Sequence, residues 1–369
     1  MFILKVYIIS DTHLGIKNNN LIWHKTIEDY FYKSFIPSVK KTVEPGDILI
    51  HCGDVFDNRS TIGLRTLSFT SNLFKDLLTI FSEVHIIGGN HDMMYKNSND
   101  ISSIDILQDI PNMYVYKEPK IIKRGDKEFF MMPWNNDNDE FINIVSSVKR
   151  HVDYMFCHAE IQGAIMRKFV RSETGVDRKT IESHFDMIFS GHLHTRHKTG
   201  KCIYYVGSPY QMNFNDCENA RGYTILHEDG HLEFVKNEIS PKFMACNILD
   251  LMNTSVEDLN KAAENNFLKF FIPIEEVKKI NMNIIYDKLK SAADIKVEIT
   301  GDDKDDSGLQ DGKKSDADLY DVSKSLSENM QAYIDLYCQK SEIPDGMRDS
   351  LKKVAIALIE KYDSKSVSL

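Results

Sequence analysis

Nine side chains within the first 194 residues could work together: Asp11 and His13, Asp54, Asn90 with His91 and Asp92, a lone His158, and His192 with His194. They lie in the runs Asp11-Thr12-His13, Gly53-Asp54, Gly89-Asn90-His91-Asp92 and Gly191-His192-Leu193-His194. Carboxylate, imidazole and amide donors without thiolates suit borderline to hard divalent metals such as Mn²⁺, with Mg²⁺ the alternative, rather than a structural zinc site. There are more donors than one ion needs. With one shared carboxylate they can hold two ions about 3.5–4 Å apart, a spacing that grips the oxygens of a phosphoester and lowers the pKa of a water between the ions. Glycines precede three of the donor groups (Gly53, Gly89, Gly191) and permit the sharp turns that aim consecutive side chains at one point. Each motif alone is weak, since Asp-x-His is usually a turn and a single histidine signals nothing. Their order, each after a strand-like run, is what points to a metal site.

Those runs repeat along the first half of the chain. "VYIIS", "DILIHC", "VHIIG", "YMFC" and "FDMIFS" each end in one of the polar clusters. Continuous apolar runs of this kind are strands buried on both faces of a sheet flanked by helices, where functional groups gather at the carboxyl ends. Leu64, Leu67, Phe74, Leu77 and Leu78 recur at near-helical spacing, which predicts a helix within 62–80. "HEDGHLEF" carries an Asp-Gly turn between two strand-like runs and predicts a hairpin. A smaller α/β unit is expected over 241–299, with "FLKFFIPI" and "IKVEIT" as strands and "NMNIIYDKLKSA" as a helix. Residues 300–321 hold eight Asp, three Gly and few apolar side chains, the composition of a flexible acidic linker. Two amphipathic helices follow over 322–369. Leu326, Met330, Tyr333, Ile334 and Tyr337 share one stripe, and Met347, Leu351, Val354, Ala355 and Leu358 another.

The bulk numbers fit a globular chain. Of 369 residues, 42% are apolar and 27% charged, and no apolar run approaches a membrane span. Lys5 interrupts the apolar N-terminus and Asp11 ends it, so it reads as a buried strand and not as a signal peptide. Six scattered cysteines without a C-x-x-C pair suggest reduced thiols and a cytoplasmic setting, the host cytoplasm if the chain is viral. A net charge of −10 argues against a nucleic-acid-coating protein, although much of it sits in the acidic linker.

The ordered motifs D-x-H, G-D-x-x-D, G-N-H-D, a lone H and G-H-x-H resemble those of the calcineurin-like metallophosphoesterases. "SDTHLG" at 10–15, "GDVFD" at 53–57, "MPW" at 132–134, "GHLH" at 191–194 and "YVGSPYQMNFND" at 205–216 narrow the likeness to the SbcD-type DNA repair nucleases. The resemblance covers about residues 1–240. It implies a layered α/β fold, a β-sandwich flanked by helices, with a small α/β capping domain that binds DNA and C-terminal helices that bind a coiled-coil ATPase of the SbcC type. It implies that Asp11, His13 and His194 bind one metal, that Asp54 bridges both, and that Asn90, His158 and His192 bind the second. His91 would face the scissile phosphate, to stabilise charge or protonate the leaving oxygen, with Asp92 orienting it. Asp57 departs from the pattern, standing where some members carry a substrate-positioning histidine.

The function expected is therefore a metal-dependent exonuclease or endonuclease acting at DNA ends, on double-strand ends and single strands. Local charge agrees: "RKFVR", "DRKT" and "TRHKTGK" cluster cations just after His158 and His194, where they could neutralise phosphates. Candidate substrate contacts are Asp57, Arg59, Arg167, Lys168, Arg171, Arg196 and Lys198. A homodimer is expected too, because 62–80 carry more apolar side chains than one buried helix face needs. Two other readings are a phosphomonoesterase or protein phosphatase with the same metals, and a scaffold with a dead site. The first usually shows G-N-H-E, where Asp92 stands here. Loss of a metal ligand would favour the second, and none is missing.

Overall fold

The structure, a computed structural model, describes residues 4–300 apart from 96–97, 168–169, 252–253 and 278, together with Ile334, Lys352 and Lys353. Apart from those three residues, the acidic linker after Thr300 and the two C-terminal helices expected from the sequence lie outside the described residues. Contacts divide the chain into Met1–Gly301 and Asp302–Leu369.

Two six-stranded sheets form the first unit. The first runs Leu232–Lys236, Gly222–Leu226, Val6–Ile9, Ile48–His51, Glu83–Ile87, Met113–Tyr116. Its last four strands are parallel, and the hairpin 222–236 joins antiparallel through the turn at Asp229-Gly230. The second runs His197–Thr199, Ile203–Tyr205, Phe185–Gly191, Val152–His158, Lys127–Met132, Lys120–Arg124, with the four central strands parallel.

Side-chain alternation shows why these strands read as unbroken apolar runs. Val6 and Ile8 point between the sheets, where they meet Phe129, Phe156 and Phe189. Tyr7 and Ile9 point to the other face, packed beneath Trp23, Ile27, Phe31, Phe35 and Phe74 of the helical layer. The second sheet does the same, with Phe130 and Met155 turned outward onto Phe141, Val145 and Ile181. The result is helix, sheet, sheet, helix, with the central strands buried on both sides and the edge strands partly exposed.

The helix Leu64–Leu78 buries Thr66, Phe69, Thr70, Leu73, Phe74 and Leu77. Its buried stripe keeps Phe74 and Leu77 of the one read from the sequence but differs at its start: Leu64 is 84% exposed, and Thr66 and Thr70 lie inside. Thr70 is accommodated because its hydroxyl donates to the Thr66 carbonyl at 2.7 Å.

Residues 243–300 build a parallel three-stranded sheet, Phe243–Asn247, Phe267–Pro273 and Asp294–Thr300, with helices Val256–Ala263 and Met282–Lys288. Its own core holds Ile248, Ala263, Leu268, Phe270, Ile272 and Leu289. Phe243 and Phe267 stack at 4.5 Å and continue onto Trp23, which locks this sheet against the helix Leu21–Asp29.

Candidate metal centre

The donor residues sit where the strands of both sheets end. Val6–Ile9 runs into Asp11 and His13, Ile48–His51 into Asp54, and Glu83–Ile87 into Asn90 and His91. From the other sheet, His158 and Gly191 are the last residues of their strands, and His192 and His194 follow. Backbone bonds lace the first two loops together: Asp11 N donates to Gly53 O at 3.0 Å, His13 N to Asp54 O at 3.1 Å and Leu14 N to Val55 O at 2.8 Å.

Asp11, His13, Asp54 and His192 all take positive φ, at 53°, 43°, 55° and 81°. Non-glycine residues there cost on the order of 1–3 kcal/mol each, and such strain gathers at functional sites. The three glycines act in two ways. Gly53 has φ 91° and makes the turn itself. Gly89 and Gly191 have ordinary φ but no room: a methyl on Gly89 would lie 2.2 Å from Asp54 N, and one on Gly191 2.2 Å from Cys52 O.

Donor atoms converge in three groups, Asp11 with His13 and His194, His13 with Asp54 and His91, and Asp11 with Asp54 and His158, each within 4.8 Å. His13 Nε2 is 3.2 Å from His194 Nε2 and 3.6 Å from Asp54 Oδ2. His158 Nε2 is 2.9 Å from Asn90 Oδ1 and 3.4 Å from Asp54 Oδ1, and His192 Nδ1 is 3.0 Å from the same amide oxygen. Asp54 therefore faces both clusters.

The chemistry of this donor set fits divalent cations. His158 Nδ1 donates to the Cys52 carbonyl at 2.8 Å, so the neutral ring would turn a lone pair toward the Asn90 oxygen. A cation between them, a metal or a proton, would make that arrangement favourable. Burial disfavours the charged His158, yet the Asp54 carboxylate dominates and pushes its pKa up to about 9. Asp11 Oδ2 is buried without a hydrogen-bond partner among the described residues. Burial keeps His192 and His194 neutral, at about 4 and about 3, which leaves a free lone pair on each. Burial also raises Asp54, but His158, His13 and His91 outweigh it and hold the carboxyl well below its ordinary value.

His91 stands beside this set, its ring 4.8 Å from that of His13 and its backbone N–H donating to Asp54 Oδ1 at 2.8 Å. The orienting role expected of Asp92 falls to another group. His91 Nδ1 donates to the Asp57 carbonyl at 2.7 Å. The buried Asp92 carboxylate instead accepts the N–H groups of Gly89, Phe56 and Val55 at 2.9, 3.0 and 3.2 Å, which pins the Asp54 loop to the Asn90 loop. Asp57 also places a carboxylate oxygen 3.2 Å from His13 Nδ1.

The cationic candidates spread more widely. Arg196 lies over the Phe234 ring at 4.3 Å and Lys198 over Tyr204 at 4.9 Å, on the flank of the sandwich. Arg171 donates to the Gly163 carbonyl at 3.0 Å. Arg59 is half-buried two residues beyond Asp57. Arg167 lies in the short strand Ile165–Arg167, and Lys168 is outside the described residues. None of them belongs to the three donor groups.

Two supports were not read from the sequence. Trp134 packs its indole 5.0 Å from His192, and its backbone N–H donates to Gly88 O at 2.8 Å. Arg221 is buried against Asp216 at 2.7 Å and donates to Ser208 Oγ at 3.0 Å, while Ser208 N donates to the His194 carbonyl at 3.0 Å. "MPW" and "YVGSPYQMNFND" were the signals that could have found them.

Comparison with known proteins agrees with this geometry. Exonuclease subunit 1 of Enterobacteria phage T4 is 26% identical over 285 residues, 74% of this chain and 82% of the relative. Putative phosphoesterase 244L of Invertebrate iridescent virus 6 is 25% identical, over 61% of this chain and 77% of the relative. Putative phosphoesterase 078R of Invertebrate iridescent virus 3 is 24% identical, over 69% and 70%. Among the described residues no helix is long and apolar enough to cross a membrane. Residues 4–209 match the calcineurin-like phosphoesterase family, and the chain belongs to it.

Proposed function

We propose that this phosphoesterase is a DNA nuclease that hydrolyses phosphodiester bonds at DNA ends with two divalent ions, most readily Mn²⁺. The observation that carries the reading is the double cluster around Asp54, with His91 set beside it. The likeness to a phage exonuclease subunit supports DNA as the substrate. When bound, two divalent ions would neutralise phosphate charge and acidify a water between them.

The chain's own part is to place those ions and to manage a proton. The Asp57 carbonyl fixes the Nδ1–H tautomer of neutral His91, so Nε2 carries the lone pair. To protonate a leaving oxygen, His91 must first take up a proton at Nε2. As an imidazolium it can then donate that proton or stabilise the phosphorane charge.

In this reading Asp11, His13 and His194 hold one ion, Asn90, His158 and His192 the other, and Asp54 both. Residues 241–299 cap the site and contact DNA. The apolar surface left by Leu64, Leu67 and Leu78 serves a homodimer. Residues 322–369 dock on an SbcC-type coiled-coil ATPase, with 300–321 as the tether. Truncation at residue 321 should abolish ATPase binding and spare cleavage of small single-stranded substrates. Co-purification of the truncated chain with the ATPase would overturn the docking assignment. For the activity itself, purified protein is assayed with Mn²⁺ on linear duplex DNA and on a phosphopeptide. Cleavage of the DNA alone is expected, and dephosphorylation of the peptide alone would replace the nuclease by a phosphatase.

A further inference from the structure

Trp134 has two neighbours of different kinds. On one side its ring packs 5.0 Å from His192, tilted by 35°, and 5.9 Å from His158, edge to face. It also lines a cavity of about 430 Å³, together with Asn99, Asn135, Asn136 and Glu140, large enough for a nucleoside.

The lining chemistry selects the kind of ligand. Glu118, Asp137 and Glu140 border the cavity, and among the described residues no lysine or arginine does, so a phosphate is disfavoured there. The amides offer both donors and acceptors. Asn99 Nδ2 donates to Lys117 O at 2.9 Å and Asn135 Nδ2 to Glu140 Oε2 at 3.1 Å, and each amide nitrogen retains a second hydrogen. An aromatic face beside neutral donors and acceptors matches a nucleobase, whose ring stacks and whose edge hydrogen-bonds. The backbone bond from Trp134 N to Gly88 O, 2.8 Å, ties this wall to the loop that carries Asn90 and His91.

We propose that Trp134 and this cavity form a nucleobase subsite, which takes one unpaired base of the nucleotide flanking the scissile phosphate. It rests on the nuclease reading above and adds a positioning device to it. The phosphate lies at the ions while its base is drawn onto Trp134. A base can reach the cavity only when unstacked, so frayed and single-stranded ends are favoured over intact duplex.

The test walks a single abasic residue along a single-stranded oligonucleotide cut by the full-length protein with Mn²⁺. Cleavage should dip by roughly 5- to 150-fold at the one bond whose flanking residue lacks its base, the usual range for one stacked base. In Trp134→Ala the dip should vanish against that variant's own cleavage at intact positions. In Trp134→Phe, which carries the test if the alanine variant does not fold, it should be shallower. A uniform pattern in the wild type, or the same dip in both variants, would overturn the subsite while leaving the nuclease standing. No cleavage by the wild type at any position would overturn both.

Discussion

The two sheets bring different chemistry to the same point. The loops of the first supply the carboxylates Asp11 and Asp54, with His13, all at positive φ and all buried. The second supplies only imidazoles, His158, His192 and His194, of which His192 and His194 are partly exposed and braced from behind. Negative charge is thus held on strained, mutually bonded backbone, and imidazoles are swung in from the opposite sheet, His192 and His194 neutral and His158 charged by its pairing with Asp54. Neither sheet could assemble the site alone. The division also explains the charge states. His85 and His158 are both fully buried, yet burial lowers His85 to about 4 while Asp54 pushes His158 up to about 9. Burial alone does not set the charge: at His158 Asp54 and Asp11 together outweigh it, while at His85 the Glu83 carboxylate, opposed by Arg124, does not.

The largest effect should come from the residue that faces both halves. Asp54→Asn removes the shared charge from His13 and His158 together. It should lose both ions and at least about 10³-fold of the hydrolytic rate, since each ion supplies several kcal/mol of charge stabilisation. Near wild-type rates with Mn²⁺ would break the two-cluster picture. His194→Ala should separate the halves: activity is lost, but the Asn90, His158 and His192 cluster still takes an ion, countable by elemental analysis.

His91→Ala should lose about 10²–10⁴-fold in rate, the usual contribution of a general acid, while both ions remain. Loss of metal from this variant would make His91 a ligand, as its place near His13 and Asp54 also permits. Arg221→Ala tests the brace behind His194. It leaves Asp216 buried and unpaired, so stability should fall by about 3–5 kcal/mol in chemical denaturation. A change within 1 kcal/mol would mean that the pair holds nothing in place.

The smallest effect sharpens the contrast between the two buried histidines. The folded pKa of His85, about 4, lies below its ordinary 6.5. The unfolded chain therefore binds the proton first as pH falls. The stability contributed by neutral His85 is whole above pH 6.5 and is lost on descending toward pH 4, on the order of 3 kcal/mol in all. His85→Gln should flatten this part of the profile of melting temperature against pH. An unchanged slope would show that other groups carry it.

Much of this was legible in the residues. The apolar runs ending in polar clusters are strands buried on both faces, as Val6 and Tyr7 show by packing on opposite sides. The spacing of the donors led to one locus because each follows a strand. Other features have no one-dimensional signature. That the strands divide between two sheets depends on which of them pair. Asp92 looked like a partner for its neighbour His91, but three backbone N–H groups, Gly89 of its own loop and Val55 and Phe56 of the Asp54 loop, compete for it and win. Arg196 and Lys198 read as phosphate contacts from their closeness in sequence to His194; that they pack over Phe234 and Tyr204 had no signal in the sequence. Leu64 matched the helical spacing yet faces solvent, because the true stripe runs through Thr66 and Thr70.

The central claim is that Asp54 joins two cation sites, one on each side. Titration of metal-stripped protein with Mn²⁺, followed by calorimetry, tests it most directly. The account predicts about two ions per chain for the wild type and none held tightly by Asp54→Asn. A single ion in the wild type, or two still bound by Asp54→Asn, would contradict it.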